Sequence, residues 1–175
     1  MNPIPFEIPF TTQFFSGYLT DHFLYKQYTL FNALEKLPSL RSQILDGLDE
    51  IDDAEYSKTL RLEIRATYFQ AIETLFELIF SLEPRGNVID NRHIWYFLST
   101  AEWRENYKRI SAMASGDTAF LDREITAGET LKVPFIQYLF YFGVTNPSML
   151  DAVKASFDPI KKFLVALARE FSDRD

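Results

Sequence analysis

Residues 56–82 read YSKTLRLEIRATYFQAIETLFELIFSL, with neither proline nor glycine. The stretch is long enough for about seven turns of α-helix at ~3.6 residues per turn. With Glu63 at zero on a wheel of ~100° per residue, Thr67, Gln70, Glu73, Thr74, Glu77 and Ser81 cluster within roughly 80° of it. The other positions from Tyr68 to Leu82 are apolar. This pattern predicts a long central helix that touches water along one narrow polar stripe, with the other helices packed round it. A membrane span needs about 20 apolar residues in a row, and Glu73 and Glu77 interrupt this run. Arg61 and Arg65 fall opposite Glu63 on the wheel, in line with Ile72, Phe76 and Ile79. Arg65 is therefore expected to be partly buried and paired, so that Arg65→Ala would destabilise by roughly 2 kcal/mol or more.

Working outward, 175 residues are read as a single domain over 1–175. It comprises an extended arm over 1–10, a helical body over 11–172 and a frayed tail over 173–175. The expected fold class is all-α, an orthogonal or irregular bundle of seven to nine helices around the helix at about 56–82. Seventeen phenylalanines and nine tyrosines predict a core filled with rings, and rings also line apolar ligand pockets. A net charge of -7 argues against a sequence-independent nucleic-acid binder, and suits an acidic protein that docks on a basic partner. The chain has no cysteine, which excludes disulfides, zinc-thiolate sites, iron–sulfur clusters and thiol catalysis. Its start, MNPIPFEIPF, lacks the basic and apolar regions of a signal peptide, so a cytoplasmic protein is expected.

Pro3, Pro5 and Pro9 forbid a regular helix in the arm, while Ile4, Phe6, Ile8 and Phe10 give an extended segment one apolar side. Residues 11–37 are apolar on most sides and read as a buried first helix, with a break possible at Gly17. Residues 39–48 read as a short second helix. Asp46, Asp49, Glu50, Asp52, Asp53 and Glu55 follow. Counted from Asp49, the sixth residue is Ala54 and the twelfth Leu60, so the glycine and glutamate of an EF-hand loop are missing. These acids instead suit the positive end of the long helix. Pro84 and Gly86 stop that helix. Residues 91–98 and 100–114 read as two helices or one with a bend, and about 118–127 as a short helix. The almost wholly apolar run from Lys132 to Phe142, entered at Pro134, reads as a buried element whose length favours helix over strand only weakly. Another helix begins at Pro147 and is interrupted near Pro159. The last carries a stripe of Ile160, Phe163, Leu164, Leu167 and Phe171.

No nucleophile elbow, Walker loop or dinucleotide glycine pattern occurs. His22 is expected to be a hydrogen-bonded core histidine. His93 follows Asp90 by three, but there is no Glu-x-x-His, so no metal site and no cofactor are expected. Arg92 and His93 precede a basic, aromatic stretch of Trp103, Arg104, Tyr107, Lys108 and Arg109. Arg104 and Lys108, one turn apart, could share an anion. Such a setting invites comparison with the HEPN ribonucleases, small helical bundles with an arginine a few positions before a histidine. Here Arg85 lies too far from His93, and Arg92 adjoins it. The motif is not matched, and the family supplies only an enzyme alternative: cleavage of RNA or a phosphate ester by His93 with Arg92 and Arg104 in support. A second alternative is a small-ligand binder in which Arg61, Arg65, Tyr68, Glu73 and Glu77 line an aromatic pocket. The leading expectation is a non-enzymatic helical interaction module. Its expected partner is a protein, including a second copy engaged through Ile4, Phe6 and Ile8 of the arm. Neither a membrane nor a nucleic acid is expected as partner.

Overall fold

The computed structural model describes residues 21–37, 39, 52–83, 98, 100, 102–127, 131–141 and 147–173. The expectations for the arm, the second helix, residues 91–97 and the tail at 174–175 lie outside these residues, as do Arg92 and His93. The described residues are mostly helical, as their periodicity dictates, with one two-stranded sheet among them. In order the elements are α1 (His22–Glu35), α2 (Asp53–Ser81), α3 (Trp103–Ala114), α4 (Ala119–Asp122), β1 (Glu124–Ala127), β2 (Leu131–Pro134), α5 (Phe135–Tyr141), α6 (Pro147–Ala155) and α7 (Phe157–Ser172). Among the described residues no helix is long and apolar enough to cross a membrane. Contacts divide the chain into two compact units, one within residues 18–73 and the other within 74–175.

The sequence reading of α2 is sound in extent. No helix breaker occurs between Asp53 and Ser81, and the helix runs about 43 Å at ~1.5 Å per residue. Asp52 Oδ1 accepts from the Ala54 N–H at 3.2 Å, and Asp53 and Glu55 lie in the first turn, where the helix dipole favours negative charge. Within residues 18–73, α1 is tied to the first turns of α2 by polar contacts. Gln27 Nε2 donates to the Ile64 carbonyl at 2.8 Å, and Lys26 Nζ lies 3.9 Å from Glu63. Leu37, Leu60 and Thr67 are buried there.

Within residues 74–175, Phe76, Ile79 and Phe80 bring the last turns of α2 into the core. A chain of rings continues from them. Phe76 stacks on Phe80 at 6.0 Å, Phe80 meets Phe120 at 6.0 Å, Phe120 meets Phe135 at 6.3 Å, and Phe135 stacks on Tyr138 at 6.4 Å. Burial lifts the Tyr138 hydroxyl above its ordinary pKa, because the apolar surroundings disfavour the phenolate. Among the described residues the most extensive packing between helices is α7 on α3. Leu164, Ala168 and Phe171 are buried on the one and Ile110 and Met113 on the other, and the Tyr107 and Phe171 rings meet at 6.4 Å. Arg169 Nε donates to the Ala114 carbonyl at 2.9 Å, satisfying one of the open carbonyls at the end of α3. That end closes in a Schellman turn. Gly116, at φ 98°, donates to the Met113 carbonyl at 2.8 Å, and Asp117 donates to that of Ala112 at 3.0 Å.

Several expectations are corrected. The helix foreseen over 118–127 is only one turn, and its second half is strand β1. The element foreseen over 132–142 is divided: its first residues belong to strand β2, and helix α5 runs from Phe135 to Tyr141, close to the entry expected at Pro134. The strands pair antiparallel with Ile125 opposite Val133 and Glu124 opposite Pro134. Ile125 and Val133 are both buried, while Lys132 on the alternate face is exposed. That period of two is the signature of a half-buried hairpin. The Phe135 N–H then donates to the Arg123 carbonyl at 2.9 Å, which carries the pairing into the first turn of α5. The polar stripe of α2 meets water only in part: Glu63 and Gln70 are exposed, Glu73, Thr74 and Glu77 are half-buried, and Thr67 and Ser81 are buried, whereas Arg61 and Arg65 are exposed. Arg65 therefore does not meet the burial expected of it. His22 is exposed beside Phe23 rather than placed in a core. The break before the last helix falls at Ser156, and Pro159 sits in the first turn of α7, where its missing N–H would be unpaired in any case. Phe163, counted in the apolar stripe of that helix, is 60% exposed.

This distribution sets an energetic contrast between two phenylalanines. Phe76 is wholly buried, so Phe76→Ala should lower stability by about 3–5 kcal/mol in chemical denaturation. Phe163→Ala should change it by less than about 0.5 kcal/mol, as for other surface substitutions. Equal losses for the two would contradict the placement of α7.

Candidate functional site

Two features stand out from the ordinary packing. The first is a cluster of charge at the end of α2. Glu83 follows the last turn, its N–H bonded to the Phe80 carbonyl at 3.3 Å. Its carboxylate accepts a hydrogen bond from Arg109 Nη2 on α3 and lies 3.6 Å from Arg123 Nη1, in the link between α4 and β1. The Arg109 guanidinium carbon sits 3.9 Å from the centre of the Phe80 ring and 5.5 Å from that of Phe120. A planar cation held flat on an aromatic face keeps its in-plane N–H groups free to bond a carboxylate at the edge. The Glu83 side chain is only 19% exposed, and the two arginines about twice that. Two cations around one anion leave a surplus positive charge. An incoming phosphate or carboxylate would nevertheless compete with a carboxylate already fixed by the backbone. The cluster therefore works as a clamp between α2, α3 and the start of the hairpin.

The second feature is the outer face of α1. None of the residues from His22 to Glu35 is fully buried. Leu24, Tyr25, Tyr28 and Phe31 are 66%, 67%, 68% and 51% exposed. On a wheel of ~100° per residue, Leu24, Tyr28 and Phe31 fall within roughly 60°, with Tyr25 a further ~60° round. The adjoining side, from roughly 40° beyond Phe31, carries Gln27, Leu34, Phe23, Leu30 and Leu37, which are half-buried or buried. A helix this apolar is expected to be buried on most sides. It is covered on one side and bears a continuous aromatic strip on the other. Side-chain back-bonds keep its polar residues local: Thr29 Oγ1 donates to the Tyr25 carbonyl at 2.9 Å, and Asn32 Nδ2 to that of Tyr28 at 3.1 Å.

The residues picked out by sequence are placed otherwise. Arg61, Arg65 and Tyr68 lie on the exposed side of α2, with Leu62 between them 58% exposed. The Arg65 guanidinium lies 5.6 Å from the Phe69 ring centre. Glu73 and Glu77 are half-buried. Arg104 is exposed beside the exposed Trp103 ring at 5.8 Å, and Lys108 pairs with Glu105 at 2.6 Å along the helix surface. The Glu105 hydrogen bond and charge hold the Lys108 ammonium above its usual pKa. Arg104 and Lys108 thus sit on a solvated helix face. Among the described residues no group of three or more His, Asp or Glu could hold a metal ion.

The clamp has a measurable consequence. Arg109→Ala should lower stability by about 2 kcal/mol, because it removes the stacked cation and strands Glu83. Arg109→Lys should lose roughly half as much, since an ammonium keeps the charge but not the flat stack. Arg104→Ala, on the exposed start of the same helix, should stay within about 0.5 kcal/mol of the parent in urea unfolding. Matching losses at positions 104 and 109 would remove the clamp from the account.

No protein-family model, no curated protein and no solved structure matches this chain.

Proposed function

We propose that this chain is a non-enzymatic helical interaction module that engages a protein partner. The observation that supports it most is the exposed strip of Leu24, Tyr25, Tyr28 and Phe31 on one helix. Apolar side chains scattered singly over a surface need no explanation, but a contiguous aromatic strip marks a docking face. Tyrosine and phenylalanine also suit this use, since they present large, rigid contact area at small entropic cost. The acidic balance of the chain keeps such a face soluble until a partner covers it. Self-association belongs to the same proposal. It rests on the alternation of Ile4, Phe6 and Ile8 in the arm, which an extended segment can lay into a groove of a second copy.

If the strip serves binding and not folding, Leu24→Ser and Tyr28→Ser should leave unfolding free energies within about 0.5 kcal/mol of the parent. A loss of about 2 kcal/mol or more at either position would mean that the chain covers this face itself, and the docking reading would fall. Light scattering on the full chain and on one starting at Phe10 addresses the arm. The full chain should show concentration-dependent dimers that the shortened chain lacks. Two monomers would remove self-association from the proposal.

A further inference from the structure

The outer face of α1 has a sharper character than a general apolar patch. Asp21, Leu24, Tyr28, Phe31 and Glu35 follow one another at steps of three, four, three and four residues. At ~100° per residue they form one nearly straight ridge over about four turns, or roughly 21 Å. This is the alternation by which one helix presents a seam to another. Both ends of the seam are acidic and exposed: Asp21 before the first turn and Glu35 at the last. The unit that bears it is acidic as well, since residues 18–73 hold ten Asp and Glu against six Lys and Arg.

We infer that this seam receives an amphipathic helix that carries apolar residues at the same three- and four-residue steps and Lys or Arg at both ends. The inference rests on the interaction-module reading and names the class of partner. A second copy of α1 fits the seam badly. Paired antiparallel about Tyr28, each Asp21 would face the other copy's Glu35. Paired parallel, acid would face the same acid. Like charges placed together penalise both arrangements, whereas basic ends convert the same positions into attractions. Area points the same way. The four exposed side chains offer roughly 500 Å², taking ~200 Å² for each and their fractional exposures. Stable association of two whole proteins takes about 800 Å² on each side, while this strip is the size of one helix face. Apolar anchors at i, i+4 and i+7 supply the affinity, and the flanking acids select among helices that share those anchors.

Two synthetic peptides of equal length test this on the full chain by fluorescence anisotropy. Both carry leucines at alternating three- and four-residue steps. One has two lysines beyond each end of the leucine stripe, and the other has two glutamates. The lysine peptide should bind at least tenfold more tightly at low salt, with the advantage shrinking as salt is added. Tyr28→Ser together with Phe31→Ser should abolish its binding, and Asp21→Lys together with Glu35→Lys should reverse the preference. Equal binding of both peptides would overturn the basic partner and leave the docking face standing. Binding of neither would remove the docking face itself. Binding of the lysine peptide that survives the Tyr28→Ser, Phe31→Ser double variant would place it elsewhere on this acidic chain and overturn the inference.

Discussion

The packing of residues 74–175 turns on a cation held over a ring. Phe80 closes the last turn of α2 and Phe120 forms α4, and Arg109 from α3 lies against both. An arginine in that position could be an expense, since its charge is partly withdrawn from water. Glu83 makes it an asset by bonding the guanidinium edge while the rings take the face. The arrangement joins three segments far apart in the chain at one point. It also brings Arg123, at the entry to the hairpin, beside the same carboxylate. Phe120 then passes the contact to Phe135, which is wholly buried at the start of α5. The heavy use of phenylalanine is thus a way to cross a core of short elements with few residues.

Those short elements are what the sequence concealed. Long helices announce themselves: no proline or glycine from Asp53 to Ser81, a glycine just past Ala114, a proline at the head of α6. Four-residue strands do not. The alternation of Ile125 with Glu124 and Thr126, and of Val133 with Lys132, was present in the chain but spans too few residues to outweigh a helical reading. The wheel placed the wet side of α2 only in part: Ile72, Phe76 and Ile79 are buried as it implies, but Thr67 is buried too. Periodicity reports which residues share a face, and burial depends on what that face meets. Thr67 is buried because its neighbours Leu60 and Ile64 face inward, and the Arg61–Arg65 side stays in water. Long arginine side chains tolerate either setting, so their position on a wheel carries little information. The clamp was legible only in pieces. Arg109 belonged to a visible basic stretch and Glu83 stands just before the stop at Pro84, yet nothing local joins residues 26 apart.

The first helix is the instructive failure. Apolar character on nearly every side predicts a helix buried on nearly every side, and the inference is sound for a chain that folds only for itself. In α1 the two halves of that character have separated. Phe23, Leu30 and Leu37 serve the chain's own packing, while Leu24, Tyr28 and Phe31 face water. One side of the helix is covered by its own chain, and the other is left exposed. Local rules tend to break where a protein keeps stability in hand for function, and this seam breaks one along its whole length. The acids at its ends refine the point. Asp21 is the N-cap of α1, where the helix dipole favours an acid, whereas Glu35 lies in the last turn, where the dipole opposes one. In the proposed docking, the ridge would supply attraction that many helices share, and the charged ends would select among them.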